Sequence, residues 1–373
     1  MIIEAFGVAE GTSLAGWRLG RCEFRPRLNL IVGASGAGKS KVLGSIFNLA
    51  RFAVTDTMLG GCSAFVEFSL SGQKYRWDLK VDQAGPISTA VVSEEKLSLT
   101  EGRTILHRVG GATTLEGVKM PKLPLTSTAL RVLREEDALK PIHAGFSSIR
   151  RRLFHGAELD NAKALQSVPR ELVEQCKSGD PTLLYWHALS LSVIAKLLRD
   201  HFPDVFRVAA QHFKSVFRTV EDLRIADAQA IQVGLVASAP VLLLKEKGIT
   251  EPTPIMEWSS GMVKVLLFIF DLLTQPRPSI YMIDEYENSL GVNAIDFFPS
   301  FAREVGEDIQ LFITSHHPLL INAVPISDWI VLGRTGSRVQ AMYGDELKER
   351  YGVSHHEQYV QLLNDPFYQR GER

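Results

Sequence analysis

The sequence predicts an α/β protein built on a mostly parallel sheet with covering helices, and three observations predict it. Short apolar strands alternate with helix-period segments toward both ends of the chain, a glycine-rich turn joins one such strand directly to a helix, and a later buried strand ends in two carboxylates. Strands that alternate with helices favour parallel pairing through helical crossovers.

Residues 1–109 are strand-like, with the runs LNLIV, AFVEFSL and KYRWDLKV and the glycine-containing turn SGQ at Ser71. The opening MIIEAFGVAEG alternates as a strand does and lacks the basic region and apolar run of a signal peptide. One helix interrupts this stretch, KVLGSIFNLA, where Val42, Leu43, Ile46, Phe47 and Ala50 share a face. From about Leu115 to Ser215 the pattern turns helical with long polar faces, in STALRVLREEDALK and the run from Leu183 to Leu198, and reads as an insertion. Strand patterns return in IQVGLVASAPVLLLKEKG, followed by the helix-like MVKVLLFIFDLL and the strands SIYMIDE and QLFIT. The apolar run TLLYWHALSLSVIA is shorter than the roughly 18–20 residues that cross a bilayer and reads as a buried helix.

A content of 45% hydrophobic and 22% charged residues excludes disorder. The net charge of -1 gives no overall attraction to nucleic acid or an acidic membrane. Three scattered cysteines, Cys22, Cys62 and Cys176, make neither a disulfide framework nor a zinc site, so a cytoplasmic protein without membrane association is expected.

Gly33 to Ser40 reads GASGAGKS, a full GxxxxGK[ST] match between a strand and a helix. Glycines let backbone amides curl around phosphates, Lys39 reaches the outer phosphates, and Ser40 offers a hydroxyl to Mg2+. ATP and Mg2+ are thus the expected cofactors. Gly33, Ala34, Ser35, Gly36, Ala37, Gly38, Lys39, Ser40 and Lys41 are the expected nucleotide contacts. Asp284 and Glu285 close the strand SIYMIDE, at the end where open α/β sheets bind ligands. Asp284 suits a water-mediated hold on Mg2+, and Glu285 suits orienting or deprotonating an attacking water.

The segment WSSGMVK, ahead of an apolar helix, resembles the LSGGQ signature of the ABC ATPases, with Trp258 in place of leucine. The resemblance implies that Ser259, Ser260 and Gly261 present a helix amino terminus to the γ-phosphate of a nucleotide held by a partner subunit. It also implies that His316, in SHHP after QLFIT, is the switch histidine that contacts the γ-phosphate and helps align the catalytic carboxylate. Lys39, Glu285 and His316 are then the catalytic set. Side chains of adjacent residues at a strand end point to opposite sides, so His316 and His317 are not expected to form a metal pair.

FRPRLNLIVGASGAGKSKVLGSIF is similar to the opening of the RecF and SMC branch, while DEYENSLG and FITSHHPLLIN resemble the short AAA-type and OLD-type relatives. Leu290, Gly291 and Val292 depart from the Leu-His-Pro that those relatives carry. No sustained heptads mark a coiled-coil arm.

The expected fold is an ABC-type P-loop nucleotide-binding head with a mixed central sheet, an antiparallel β lobe and a helical insertion. Residues 1–115 and 216–373 supply its halves and 116–215 the insertion. The resemblance implies a homodimer, or larger homo-oligomer, closed through paired ATP sites. It further implies an ATP-hydrolysing switch with an effector partner such as a nuclease, in a prokaryotic defence or DNA-repair type of system. The alternative is an ATP-bound scaffold or sensor without turnover. The basic run IRRRL from Ile149, with Arg134, Lys140 and His143 nearby, reads as a solvated helix face because Glu135, Glu136 and Asp137 lie close by, with nucleic-acid phosphates as the other possible contact. No NKxD motif supports a GTPase, and no HNH-like or Toprim-like set supports a nuclease within this chain.

Overall fold

The computed structural model describes residues 1–11, 16–154, 156–231, 239–288, 290–295, 297, 300–301, 304, 306, 308–352 and 354–371. The chain divides into two compact units, the first Met1–Arg152, Pro278–Glu285 and Asp308–Arg373, the second Leu153–Arg277 and Tyr286–Glu307.

In the first unit, strands β1 (Ile2–Glu10), β2 (Arg18–Glu23), β3 (Leu28–Val32), β4 (Cys62–Leu70), β5 (Gln73–Asp82), β6 (Val91–Leu99), β7 (Thr104–Val109), β8 (Ala112–Leu115) and β9 (Val118–Lys119) come before β10 (Ile149–Arg152). The later segments of that unit supply β14 (Ser279–Ile283), β15 (Ile309–Thr314), β16 (Trp329–Thr335) and β17 (Arg338–Tyr343), while β11 (Val220–Asp227), β12 (Pro240–Glu246) and β13 (Thr253–Pro254) belong to the second unit. Among the described residues the first unit forms one sheet in the order β10-β14-β15-β3-β16-β17-β2-β1-β4-β5-β6-β7-β8-β9.

Five strands, β10, β14, β15, β3 and β16, run parallel. Every residue of β3, β14 and β15 is buried, the mark of strands covered on both faces. Beyond β2 the pairing is antiparallel and the burial alternates, as in β6, so this lobe turns one face to solvent. Ser71 and Gly72, with φ of 51° and 79°, make the tight β4–β5 turn.

Helix α1 (Lys39–Val54) buries Val42, Leu43, Ile46, Leu49 and Ala50. These side chains join one core with Ile31 of β3, Ile280 and Met282 of β14, and Trp77 and Leu97 of the lobe. Gln310 of β15 ties distant parts of the chain together: its Oε1 accepts from the Ile3 amide at 2.8 Å, and its Nε2 donates to the Ile3 and Arg25 carbonyls at 2.8 Å each. In the lobe the buried Glu95 carboxylate accepts from Trp77 Nε1 at 3.3 Å and from the amides of Ala129 and Leu130 at 2.5 and 3.1 Å. Burial pushes its carboxyl up, while those donors and Arg108 pull it back.

The second unit packs the helices Leu191–His201, Pro203–Val216 and Ser260–Thr274 with the small antiparallel sheet of β11, β12 and β13. The Ser192 hydroxyl accepts from the Leu242 amide of β12 at 3.0 Å, joining helix to sheet.

The compact units do not follow the division at 115 and 215. Residues 116–152 stay with the first unit because β10 pairs with β14 and extends the parallel sheet. The Ser260–Thr274 helix, buried on nearly every face, stays with the helices of the second. The IRRRL run is not a helix face: it is the edge strand β10, with Ile149 buried and the three arginines half-buried. Charged residues at a sheet edge are compatible with strand pairing, because the ladder uses backbone groups. The Leu183–Leu198 run is two pieces, a 3-10 turn at Pro181–Trp186 and the helix from Leu191, separated where the Ser190 amide donates to Gln166 Oε1 at 2.8 Å. Of the strand expected in IQVGLVASAPVLLLKEKG, the Pro240–Glu246 part is β12, and residues 232–238 lie outside the described residues.

Candidate nucleotide site

The turn between β3 and α1 needs its glycines for two physical reasons. A Cβ on Gly33 would lie 2.7 Å from the Leu332 carbonyl oxygen of β16, and Gly38 adopts φ 103° at the amino cap of α1. No side chain caps that terminus, which leaves the first-turn amides as donors an anion can use. Lys39 Nζ donates to the Gly33 and Ala34 carbonyls at 2.8 and 3.3 Å, so its ammonium sits at the loop. Ser35 and Gly36 are exposed, Ala37 is buried, and Ser40 and Lys41 are exposed on the first turn, where Lys41 pairs with Glu10.

The end of β14 lies beside this turn. Asp284 is 5% exposed and Oδ1 accepts from Ser40 Oγ at 2.9 Å. Thr314, the last residue of β15, donates to the same Oδ1 at 2.6 Å and accepts from the Glu285 amide at 2.8 Å. Register explains this: Ile283 pairs with Ile313, so the next residues of the two parallel strands face one another. Glu285 is exposed and adopts φ 50°, a left-handed conformation that costs a non-glycine residue about 1–2 kcal/mol. Such outliers concentrate at functional sites, and this one is fixed by the bond to Thr314.

Arg151 of β10 completes the cluster, with Nη2 2.7 Å from Asp284 Oδ2. Sequence reasoning missed both Thr314 and Arg151. The signal for Thr314 was its place in QLFIT, at the end of a strand parallel to SIYMIDE; nothing in the IRRRL pattern distinguished Arg151 from its neighbours.

The two histidines differ in surroundings. His317 caps the Pro318–Ala323 helix, its Nδ1 accepting from the Leu319 amide at 3.2 Å, whereas His316 is exposed at the end of the strand. In the second unit Ser259 caps the Ser260–Thr274 helix by accepting from the Met262 amide at 3.3 Å; Ser259 and Ser260 are exposed and Gly261 is buried. Trp258, which stands where the resembled signature has leucine, is buried with its ring stacked on Phe213, centroids 5.7 Å apart, and donates to the Thr253 carbonyl at 3.0 Å. That substitution therefore serves packing.

The donor set fits Mg2+, which takes hard oxygen ligands and relies on one or two carboxylates plus substrate phosphates rather than a protein cage. Ser40 Oγ and the Asp284 carboxylate are such oxygens, next to a turn built for phosphate. Thr314→Val removes the hydroxyl that joins Asp284 to Glu285. It is expected to lower stability by about 1–2 kcal/mol and, if the site hydrolyses ATP, to lower that turnover about tenfold. Steady-state kinetics and urea unfolding check both, and unchanged turnover would make Thr314 a packing residue only.

A glycine-rich turn between a buried parallel strand and a helix, facing an acidic strand end two strands away, is the arrangement of a P-loop nucleotide-binding fold and resembles the ATPase heads of the ABC/SMC-like branch. Comparisons agree. The family described as "AAA domain, putative AbiEii toxin, Type IV TA system" matches residues 140–322, a stretch that begins after the P-loop and contains the signature segment, the acidic strand and His316. An Smc head bound to the C-winged helix domain of ScpA is 14% identical, with 92% of this chain and 98% of that chain covered at a TM-score of 0.54. An Smc head with an extended coiled coil, bound to the C-terminal domain of ScpA derived from Pyrococcus furiosus, is 12% identical, with 94% and 98% covered at a TM-score of 0.54. At these identities the likeness is one of fold. Curated proteins give no match by sequence. Among the described residues no helix is long and apolar enough to cross a membrane.

Proposed function

We propose that this chain binds ATP with Mg2+ at the β3–α1 turn, hydrolyses it to ADP and phosphate, and uses the cycle as a conformational switch between associated and separated copies. The observation that carries the reading is the convergence of Ser40, Asp284, Thr314 and Glu285 beside the P-loop.

In this reading the amides from Gly33 to Lys41 cradle the phosphates, and Lys39 leaves the loop carbonyls to reach the outer ones. Ser40 and Asp284 hold Mg2+, which supplies charge neutralisation to the transferring phosphate. Glu285 orients the attacking water and takes its proton, and His316 contacts the γ-phosphate. Ser259, Ser260 and Gly261 serve the nucleotide of a second copy, so each site is finished only by dimerisation.

An effector partner and a defence or repair setting are supported by the toxin–antitoxin description of the matched family and by Smc heads that bind ScpA. The helices of the second unit are the proposed reader of nucleotide state, within a cytoplasmic assembly. Nucleic acid remains outside the proposal because the net charge of -1 provides no general attraction.

The test is the mass of the full chain in solution with and without Mg-ATP, for the natural sequence and for Glu285→Gln. ATP-dependent dimers that persist only in Glu285→Gln are expected. A single assembly indifferent to ATP in both proteins would replace the switch with a scaffold that carries nucleotide as a structural ligand.

A further inference from the structure

Arg151 occupies an unusual place for a cation. It projects from β10 toward the end of β14, where its Nη2 donates to Asp284 Oδ2 at 2.7 Å and approaches the Ser40 carbonyl at 3.4 Å. The guanidinium lies against the first turns of α1, with Nη1 3.4 Å from where a Cβ on Gly44 would stand, so the absence of a side chain at Gly44 makes room for it. Its side chain is 17% exposed against 6% for that of Asp284, a pair largely removed from solvent screening. Arg151 Nε is buried without a partner among the described residues, so the guanidinium retains a donor for an anion.

The two oxygens of Asp284 are thereby divided. Oδ1 takes the hydroxyls of Ser40 and Thr314, and Oδ2 takes Arg151. A hydrated Mg2+ held by Ser40 and Asp284 needs an Asp284 oxygen with capacity to accept, and it needs negative charge that a guanidinium already neutralises. Arg151 and Mg2+ repel each other and draw on the same carboxylate.

Resting on the reading that this site takes Mg-ATP, we infer that Arg151 is a positioning residue that competes with Mg2+ for Asp284 and exchanges the carboxylate for the nucleotide's phosphate when the metal is loaded. Metal entry then requires a phosphate near enough to take over the guanidinium, so the site holds Mg2+ well only together with the nucleotide. The same cation gives metal-free ATP a positive partner in the site.

Two effects of opposite sign follow for Arg151→Gln, which keeps an N–H donor for Asp284 Oδ2 and removes the charge. The Mg2+ concentration that half-saturates ATP binding falls about tenfold, given that close buried charge pairs couple by about 1.5 kcal/mol or more. Affinity for ATP in EDTA falls, by about threefold to tenfold. Arg151→Lys keeps the charge and returns the Mg2+ requirement toward that of the natural chain.

The experiment is equilibrium binding of ATP to the full-length chain across a Mg2+ series and in EDTA, for the natural sequence, Arg151→Gln and Arg151→Lys. A Mg2+ requirement that is unchanged or higher in Arg151→Gln, with ATP still bound, overturns the competition and leaves the nucleotide site standing. Equal losses with and without Mg2+ assign Arg151 a structural role and overturn it too. If the natural chain binds no ATP at any Mg2+ concentration, the nucleotide reading fails and the inference falls with it.

Discussion

Lys39→Ala is expected to lower ATP turnover about 10²–10³-fold, the loss typical when a fixed donor to developing charge is removed, while stability without nucleotide changes by less than about 0.5 kcal/mol. The asymmetry comes from where Lys39 sits. Its ammonium donates to the Gly33 and Ala34 carbonyls, groups of a half-exposed turn that water can serve in its place. The other cations near the loop are engaged elsewhere: Lys41 is turned to Glu10 and Trp17, Arg334 donates to the Gly36 carbonyl at 3.1 Å, and Arg151 is paired with Asp284. Titration with ATP and steady-state phosphate release, beside urea unfolding without nucleotide, give the comparison. Normal turnover in Lys39→Ala would remove the P-loop from the chemistry, and parallel losses of stability and turnover would make Lys39 a fold residue.

The P-loop, the acidic strand and the parallel order of their strands were legible in the sequence because each rests on local chemistry. A glycine pattern between strand and helix, or a carboxylate pair at the end of a strand of largely apolar residues, carries its meaning within ten positions. Thr314 and Arg151 were not legible because their roles come from register and strand order. Thr314 meets Asp284 only because β14 and β15 pair with Ile283 opposite Ile313. Arg151 meets it only because β10 adds to the far edge of β14, a pairing of residues more than a hundred positions apart. Charge pattern pointed the wrong way there, since acidic neighbours in sequence suggested solvent while the contact made is with a carboxylate in another element. The bounds of the compact units were hidden for a similar reason: the Ser260–Thr274 helix belongs by motif with the ATPase head and by burial with the helical unit.

The same helix holds the second large effect. Lys264 is 1% exposed, and a buried ammonium survives only where polar groups replace its water. Here Nζ donates to the Tyr286 carbonyl and, at 2.9 Å, to the Asn288 carbonyl, with the Phe154 and Tyr286 rings 4.9 and 5.4 Å from it. Tyr286 to Asn288 directly follow Glu285 in the chain, so Lys264 anchors the Ser260–Thr274 helix, which carries the proposed signature, to the segment leaving the proposed catalytic carboxylate. Lys264→Met keeps an unbranched apolar stem and deletes the donors. The two carbonyls lose that donor, and a stability loss of about 2 kcal/mol is expected. Relief of the buried charge keeps the loss from being larger. Turnover should fall while ATP affinity stays within about threefold, because the P-loop amides and Lys39 are untouched and only interactions realised during the reaction are weakened. Urea unfolding, amide exchange in the Ser260–Thr274 helix and a separate measurement of ATP binding test the three parts. Faster exchange at Tyr286–Asn288 together with slower turnover would identify Lys264 as the tie between signature and catalytic loop. Turnover and affinity falling together at unchanged stability would refute that tie, because the defect would then lie in nucleotide binding.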